Sequence, residues 1–336
     1  MKKYQLKYSN ISKLIDLNSP VFVSKLSLFV CILLSVFGIL LGTSERSLAV
    51  QINGLIALVD VINALFFLSA VRHSVKMPDL FYNYGYGKYE SLSVLVGATL
   101  LILITALALY ETVMMLGEKT VESNYTLLLS FSAFSFILMY LMSRFQQRAA
   151  EKHKMPILEY DSKVWKNDSF LELGIVANLM AGAILFRQGF GNYADMLDSV
   201  TAVVLLAFAL KVPIKYGRKA LDELLDRTLP EEFQYDILAC IVDNISKMCE
   251  YRGVHTRKAG RDIFIEVDVI MPYDITLEEA FQTEKAIQNS ITEKYPTSIL
   301  RLYVMPCSRD CVYHGKNNCP VKKSLNIVKP DNLKIL

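Results

Sequence analysis

A single carboxylate interrupts a long apolar stretch in the first quarter of the chain. Asp60 lies near the middle of Leu48–Val71, which is long enough to cross a bilayer as a helix. A carboxylate at that depth costs roughly 2.5–3.5 kcal/mol on insertion scales, so it usually serves a cation, a proton or a partner side chain. We therefore interpret Asp60 as a candidate metal-cation ligand, the alternative being a structural polar contact.

A second group of acids accompanies the fifth apolar stretch. Asp161, Asp168 and Glu172 are separated by seven and four residues, so on a helix they share one stripe. A polar stripe at membrane depth is tolerated where it faces the interior of a bundle or a water-filled cavity. The spacing predicts a vestibule that faces the cytoplasm.

Neighbouring polar residues extend both candidate positions. Asn63 follows Asp60 by three residues, and Asn53 precedes it by seven, so both share its helix face. Glu172 neighbours Asp168 in the same way and is a further candidate ligand. Two alternatives stay open: the asparagines bond to neighbouring helices, or Glu172 pairs internally.

The composition indicates a membrane protein with a water-soluble part. Of 336 residues, 53% are hydrophobic and 21% are charged, and the formal net charge of +3 is too small to indicate nucleic-acid binding. No cleavable signal peptide is expected, because the lysine-rich start leads into an apolar run without a clear cleavage site. No nucleophile–base constellation or phosphate loop is present, so we expect no enzyme.

Six apolar stretches and a soluble region give the predicted organisation. We expect a cytoplasmic segment at 1–20, a six-helix transmembrane domain at 21–214, a cytoplasmic α+β domain at 215–306 and a tail at 307–336. The order α-β-β-α-β in the third segment is that of a small ferredoxin-like, metallochaperone-like domain. Basic residues concentrate in one set of loops, which predicts that both termini are cytoplasmic and that the protein spans the cell (plasma or inner) membrane.

The tail carries a separate group of possible metal ligands. Cys307, Cys311, His314 and Cys319 lie within thirteen residues and could hold one structural zinc ion tetrahedrally. The spacing is not that of paired Cys-x-x-Cys motifs. Free cytosolic thiols or an occasional disulfide are the alternatives.

Two sequence motifs resemble those of the cation diffusion facilitator family. One is Gly85-Tyr86-Gly87-Lys88-Tyr89-Glu90-Ser91, and the other is Leu224-Leu225-Asp226-Arg227-Thr228-Leu229-Pro230-Glu231-Glu232. The resemblance covers about Val21 to Cys307. It implies a homodimeric six-helix transporter that exchanges a divalent cation for protons and needs no cofactor. It also implies a charged contact between Lys88 and Asp226, although both could simply be solvated surface charges.

The transport site departs from that family's pattern. The family uses two residues four apart on the second helix and His/Asp-x-x-x-Asp on the fifth. Asp60 and Asp168 match the first and last positions, whereas Ala64 and Val164 occupy the other two. All 4 histidines lie outside the apolar stretches, so we expect oxygen ligands alone. Zinc favours His and Cys, whereas such oxygens suit harder ions.

Two functions are compatible with this incomplete ligand set. We expect export of a cation harder than zinc, such as Mn²⁺, Mg²⁺ or Fe²⁺, from the cytoplasm. The alternative is a homologue that has lost transport and acts as a membrane-bound metal-responsive or scaffolding protein. The missing ligands favour this alternative, and the retained Asp60 and Asp168 oppose it.

Overall fold

The computed structural model describes residues 19–44, 48–114, 125–188, 191–314, 316 and 318–324. The chain divides into two compact units, Met1–Asp222 and Glu223–Leu336. The first is helical, and the second combines helices with a sheet.

Within the described residues, the first unit contains seven helices, the last of which extends to the start of the second unit. They are α1 Pro20–Ser44, α2 Leu48–Ser74, α3 Lys88–Met114, α4 Tyr125–His153, α5 Pro156–Arg187, α6 Gly191–Ala209 and α7 Lys211–Leu224. Proline opens both α1 and α5, where its fixed φ and missing N–H fit the first helical position. Lys154 has φ 52° between α4 and α5, and this left-handed residue ends α4.

The helical unit has the character of a membrane domain. Among the described residues, five segments are long and apolar enough to cross a bilayer, namely Pro20–Leu41, Lys88–Met114, Thr126–His153, Pro156–Leu185 and Val200–Leu224. Helix α2 has 27 residues, but the side chains of 48–58 lie outside the described set. The predicted helical membrane region followed by a small α+β domain is confirmed.

Small and aromatic side chains build the core of this unit. Phe67 of α2 meets Tyr160 of α5 edge to face, with ring centroids 5.6 Å apart. Gly97 of α3 lies against them: a Cβ there would be 2.9 Å from the Phe67 ring and 3.6 Å from Asn63 Oδ1. Glycine at this position therefore allows α3 to approach α2 closely.

The second unit contains a three-stranded sheet and helices that cover it. Its main elements are α8 Glu231–Val242, β1 Glu250–Ala259, β2 Asp262–Met271, α9 Leu277–Lys294, β3 Ser298–Pro306 and α10 Pro320–Ser324. The strand order is β1-β2-β3, with β1 antiparallel and β3 parallel to β2. The predicted α-β-β-α-β order is confirmed, and α10 is an addition in the tail.

The core of the sheet follows the alternation of β2. Ile265, Val267 and Val269 are fully buried and pack with Ile287 and Ile291 of α9. A capping box begins α9. The Glu279 N–H donates to the Thr276 hydroxyl, and the Thr276 N–H donates to the Glu279 carboxylate.

Candidate functional site: an acidic cavity in the membrane unit

A cavity of about 50 Å³ lies among five of the described helices of the first unit. One water needs roughly 10–15 Å³ by the same kind of measure, so the space holds a cation with a few waters. Its lining residues are Cys31, Leu34, Asp60, Asn63, Ala64, Phe67, Leu101, Met139, Asp161, Val164, Trp165 and Asp168.

The two principal sequence-predicted ligands share this cavity. Asp60 comes from α2 and Asp168 from α5, and both line it. Ala64 and Val164, which stand where the resembled family has its other two ligands, line it as well. The structure therefore brings all four positions to one place, and the ligand roles of the two carboxylates stay a prediction.

Asp161 is a third carboxylate in the cavity, which the sequence placed on the acidic stripe but not among the ligands. Its Oδ2 accepts a hydrogen bond from Gln146 Nε2 at 2.7 Å and another from Ser27 Oγ at 3.1 Å. Ser27 Oγ in turn accepts from Trp165 Nε1 at 3.0 Å. The two bonds to Asp161 come from α4 and α1, so two neighbouring helices hold the carboxylate of this α5 residue at the cavity. The seven-residue spacing between Asp161 and Asp168 was the sequence feature that indicated that both lie on the same face of α5.

Asn63 is buried in the lining with no hydrogen-bond partner. It is 4% exposed, and neither its Oδ1 nor its Nδ2 makes a hydrogen bond. An unmet buried polar atom costs about 1–3 kcal/mol, so such groups are rare without a purpose. The bonds to neighbouring helices that the sequence left open are not found for this residue. A ligand in the cavity would satisfy the amide.

Glu172 does not join this lining. Glu172 is 7% exposed, and its Oε2 is buried without a hydrogen-bond partner one turn beyond Asp168, outside the residues that line the cavity. The acidic stripe is therefore confirmed as cavity lining for Asp161 and Asp168 only. The side chain of Asn53 lies outside the described residues.

Cys31 adds a thiol to the lining, and the expectation of oxygen ligands alone stays a prediction. It lies on α1 and is buried against the cavity. The sequence placed it in an apolar stretch, but helix periodicity could not show that α1 turns this residue towards the acids. One soft sulfur donor therefore stands near the hard oxygen donors.

The cavity is lined by acidic side chains without basic ones. Its described lining residues include three carboxylic acids and no lysine, arginine or histidine. Across the whole described chain, no three His, Cys, Asp or Glu side chains are close enough together to hold a metal ion. A cation bound between these acids would thus require the side chains to close around it.

The other predicted site residues lie outside this cavity. Asp226 Oδ1 is 3.6 Å from Arg257 Nη1 in the second unit, and Lys88 opens α3 in the first. The contact between Lys88 and Asp226 stays a prediction.

The predicted tail ligands form part of a packed surface of the second unit. Cys307 Sγ lies 3.4 Å from His314 Nδ1, and the His314 ring stacks on Tyr273 with centroids 4.4 Å apart. Cys319 is 6% exposed. A fourth thiol, the exposed Cys249, lies beside the end of the same strand as Cys307: its N–H donates to the Ile270 carbonyl, and the Cys307 N–H donates to the Met271 carbonyl, both at 2.8 Å. No sequence signal linked Cys249 to the tail, because it precedes Cys307 by 58 residues.

Comparison with known proteins gives matches to both units. The pattern of the cation efflux transmembrane domain matches residues 24–225, and that of the cation efflux protein cytoplasmic domain matches 230–300. The cation-efflux pump FieF of Citrobacter koseri is 25% identical over 262 residues, covering 75% of this chain and 81% of that protein. FieF of Salmonella arizonae is 25% identical over 257 residues, with the same coverage. A solved structure of CzrB in its zinc form is 26% identical over 24% of this chain and 92% of its own, with a TM-score of 0.23 that is too low to compare the folds.

Proposed function

The chain belongs to the cation efflux family, a family of membrane transporters, and on that premise we propose that it exports a divalent metal cation from the cytoplasm through the acidic cavity. Asp60, Asp161 and Asp168 are the proposed carboxylate ligands, and Asn63 supplies an amide oxygen. The observation that carries the proposal is the buried, unpartnered amide of Asn63 in the same lining as three acids.

The donor set favours an ion harder than zinc. Carboxylate and amide oxygens suit Mg²⁺ and Mn²⁺, whereas zinc prefers imidazole and thiolate. Asp161 stands two turns before Asp168 and replaces the donor that Val164 lacks. The thiol of Cys31 adds one soft donor, which favours Mn²⁺ or Fe²⁺ over Mg²⁺.

Proton exchange follows from the charge of the lining. When the cation leaves, three carboxylates remain together with no basic residue among the described lining side chains. Like charges at membrane depth are costly, so protons taken up by the acids replace the missing positive charge. The coupled ion is therefore a proton, and the cation and protons bind in alternation.

The assembly and orientation are part of the same proposal. The match to the family's cytoplasmic domain supports a homodimer in the lipid bilayer. The concentration of basic residues in one set of loops supports a cytoplasmic position for both termini. The charged contact between Lys88 and Asp226 is proposed as a link between the membrane and cytoplasmic domains.

The test is flux through the full-length protein in proteoliposomes. Uptake of Mn²⁺, Fe²⁺, Mg²⁺ and Zn²⁺ is measured together with proton movement reported by an internal pH dye. We expect Mn²⁺ or Fe²⁺ flux with opposite proton flow, abolished by Asp60→Ala and by Asp168→Ala. Glu111→Ala, which removes an exposed carboxylate of α3, is the matched control and should transport normally.

Two outcomes would contradict the proposal. Normal flux in both aspartate variants would place the transport site elsewhere. Absence of flux for every ion in the wild-type protein would favour the alternative, a homologue without transport that senses metal or acts as a scaffold.

A further inference from the structure

Four cysteines and a histidine gather at one end of the cytoplasmic sheet. The Cys249 N–H donates to the Ile270 carbonyl at 2.8 Å, and the Cys307 N–H donates to the Met271 carbonyl at 2.8 Å. Because Ile270 and Met271 are the last residues of β2, the two cysteines flank the end of this strand on its two sides. Cys249 thus belongs to the folded sheet, and Cys307 begins the tail.

The tail folds back towards the same place. Cys319 is buried at the start of α10, which packs against the turn Ile245–Lys247 just before Cys249. Lys322 of α10 donates to Asp274 at 2.7 Å, in the loop that follows β2. The two contacts fix α10 against the sheet, so Cys319 and Cys249 lie on neighbouring segments.

One pair of donors already has a spacing suited to a metal ion. Bonds of about 2.3 Å to sulfur and about 2.0–2.1 Å to nitrogen put two ligands of a tetrahedral zinc ion about 3.6 Å apart. Cys307 Sγ and His314 Nδ1 are 3.4 Å apart. This distance also fits a hydrogen bond between thiol and imidazole, so zinc would replace the shared proton with little movement of either group.

We propose that Cys249, Cys307, His314 and Cys319 bind one zinc ion that fastens the tail to the cytoplasmic sheet. Three thiolates and one imidazole are a frequent ligand set of closed, structural zinc sites. Cys311 lies on the turn between the ligands, where its N–H donates to Ser308 and its carbonyl accepts from His314, and is the spare thiol. The role is structural or sensory, and it does not depend on the proposed transport function.

Zinc binding requires a local closure. Adjacent strands are about 4.8 Å apart, so the backbones of Cys249 and Cys307 stand about 10 Å apart across β2. No three of these side chains are yet at metal-binding distance within the described part of the chain. The movement falls on the tail, whose turn 307–314 and helix α10 carry three of the four ligands.

The test uses cobalt as a spectroscopic substitute for zinc on the full-length protein in detergent, under reducing conditions. The parent protein is Cys31→Ser, and every variant carries this change, so the transport cavity contributes no thiolate to the absorption. The outcome therefore does not depend on whether the transport proposal, which is tested by flux, is correct. We expect thiolate-to-metal charge-transfer absorption and tetrahedral visible bands that saturate at one equivalent of Co²⁺ in the tail, because Co²⁺ held by oxygen ligands in the cavity gives no thiolate charge-transfer absorption. Cys249→Ser should weaken the affinity for Co²⁺ at least about tenfold and reduce the charge-transfer absorption.

Two controls make the assignment falsifiable. The Cys311→Ser variant should bind Co²⁺ with the same affinity as the parent protein. In the parent protein, zinc should protect three cysteines from alkylation, as measured by mass spectrometry, namely Cys249, Cys307 and Cys319. It should leave Cys311 reactive. Loss of binding in Cys311→Ser with retention in Cys249→Ser would overturn the role of Cys249. Absence of charge-transfer absorption in the parent, or equal alkylation with and without zinc, would overturn the site.

Discussion

Substitution of Asn63 by leucine tests whether Asn63 is a metal ligand or a structural residue. Leucine has the same branched arrangement of four side-chain heavy atoms, so Asn63→Leu removes the two unpartnered polar atoms with little change of shape. Each such atom costs about 1–3 kcal/mol when buried. Because the cavity of about 50 Å³ admits water that bonds part of the amide, we take the lower end, about 2 kcal/mol for both atoms.

We expect the Asn63→Leu protein to be more stable than the wild type without metal and to gain much less stability when metal is added. For a unit of this size, about 2 kcal/mol corresponds to a rise of about 4–8 °C in Tm. The wild-type protein should gain about 2.7 kcal/mol when Mn²⁺ is present at about 100 times its Kd, and the variant should lose most of that gain. The assay is thermal unfolding of the full-length protein in detergent, with and without Mn²⁺.

A matched control and a contradictory result complete this test. Ser135 of α4 is also buried with an unpartnered hydroxyl, but it does not line the cavity. Ser135→Ala should therefore keep the full response to Mn²⁺. A Tm that falls in metal-free Asn63→Leu, with the Mn²⁺ response retained, would show that Asn63 is a structural residue and would refute the reasoning.

Three further predictions concern the neighbouring acids, selectivity and the cytoplasmic unit. Glu172→Gln should slow proton-coupled flux if Glu172 passes protons to Asp168, and unchanged flux would restrict it to a structural role. The double variant Ala64→Asp, Val164→His should raise Zn²⁺ affinity relative to Mn²⁺ in binding titrations, because it adds an imidazole and a carboxylate to the lining; zinc-selective flux in the unmodified protein would contradict the ion preference. The Tyr295 hydroxyl donates to Asp236 at 2.7 Å, and this bond, followed by the charge of Lys294, lowers the pKa of Asp236. The bond therefore stabilises the fold above the ordinary pKa of aspartate, and this stabilisation is lost as the pH falls through the lowered pKa. Tyr295→Phe should bring the Asp236 pKa back towards its ordinary value in an NMR titration, and an unmoved pKa would contradict this cause.

The sequence pattern was sufficient to predict those features of the fold that depend on a single helix or strand and on the order of these elements. The apolar stretches and the soluble region predicted helices followed by an α-β-β-α-β domain, and the structure has this order. On the same basis the helical spacing around Asp60 and Asp168 predicted two polar faces. The structure shows that these faces meet in one cavity.

Features that depend on packing between distant segments were not predictable in this way. Periodicity gives the face of a helix but not the neighbour that it meets, so it could not show that Ser27 and Gln146 hold Asp161. For the same reason it could not place Cys31 at the acids or Cys249 near the tail. Each of these contacts joins residues that lie far apart in the sequence, and no repeating pattern of residues connects them.

The most direct test of the central claim is an experimental structure of the full-length protein with Mn²⁺ bound. We expect an anomalous peak in the cavity, about 2.0–2.2 Å from oxygens of Asp60, Asp161 and Asp168, with Asn63 Oδ1 turned towards it. A peak remote from these residues, or an unoccupied cavity at a Mn²⁺ concentration that supports flux, would contradict it.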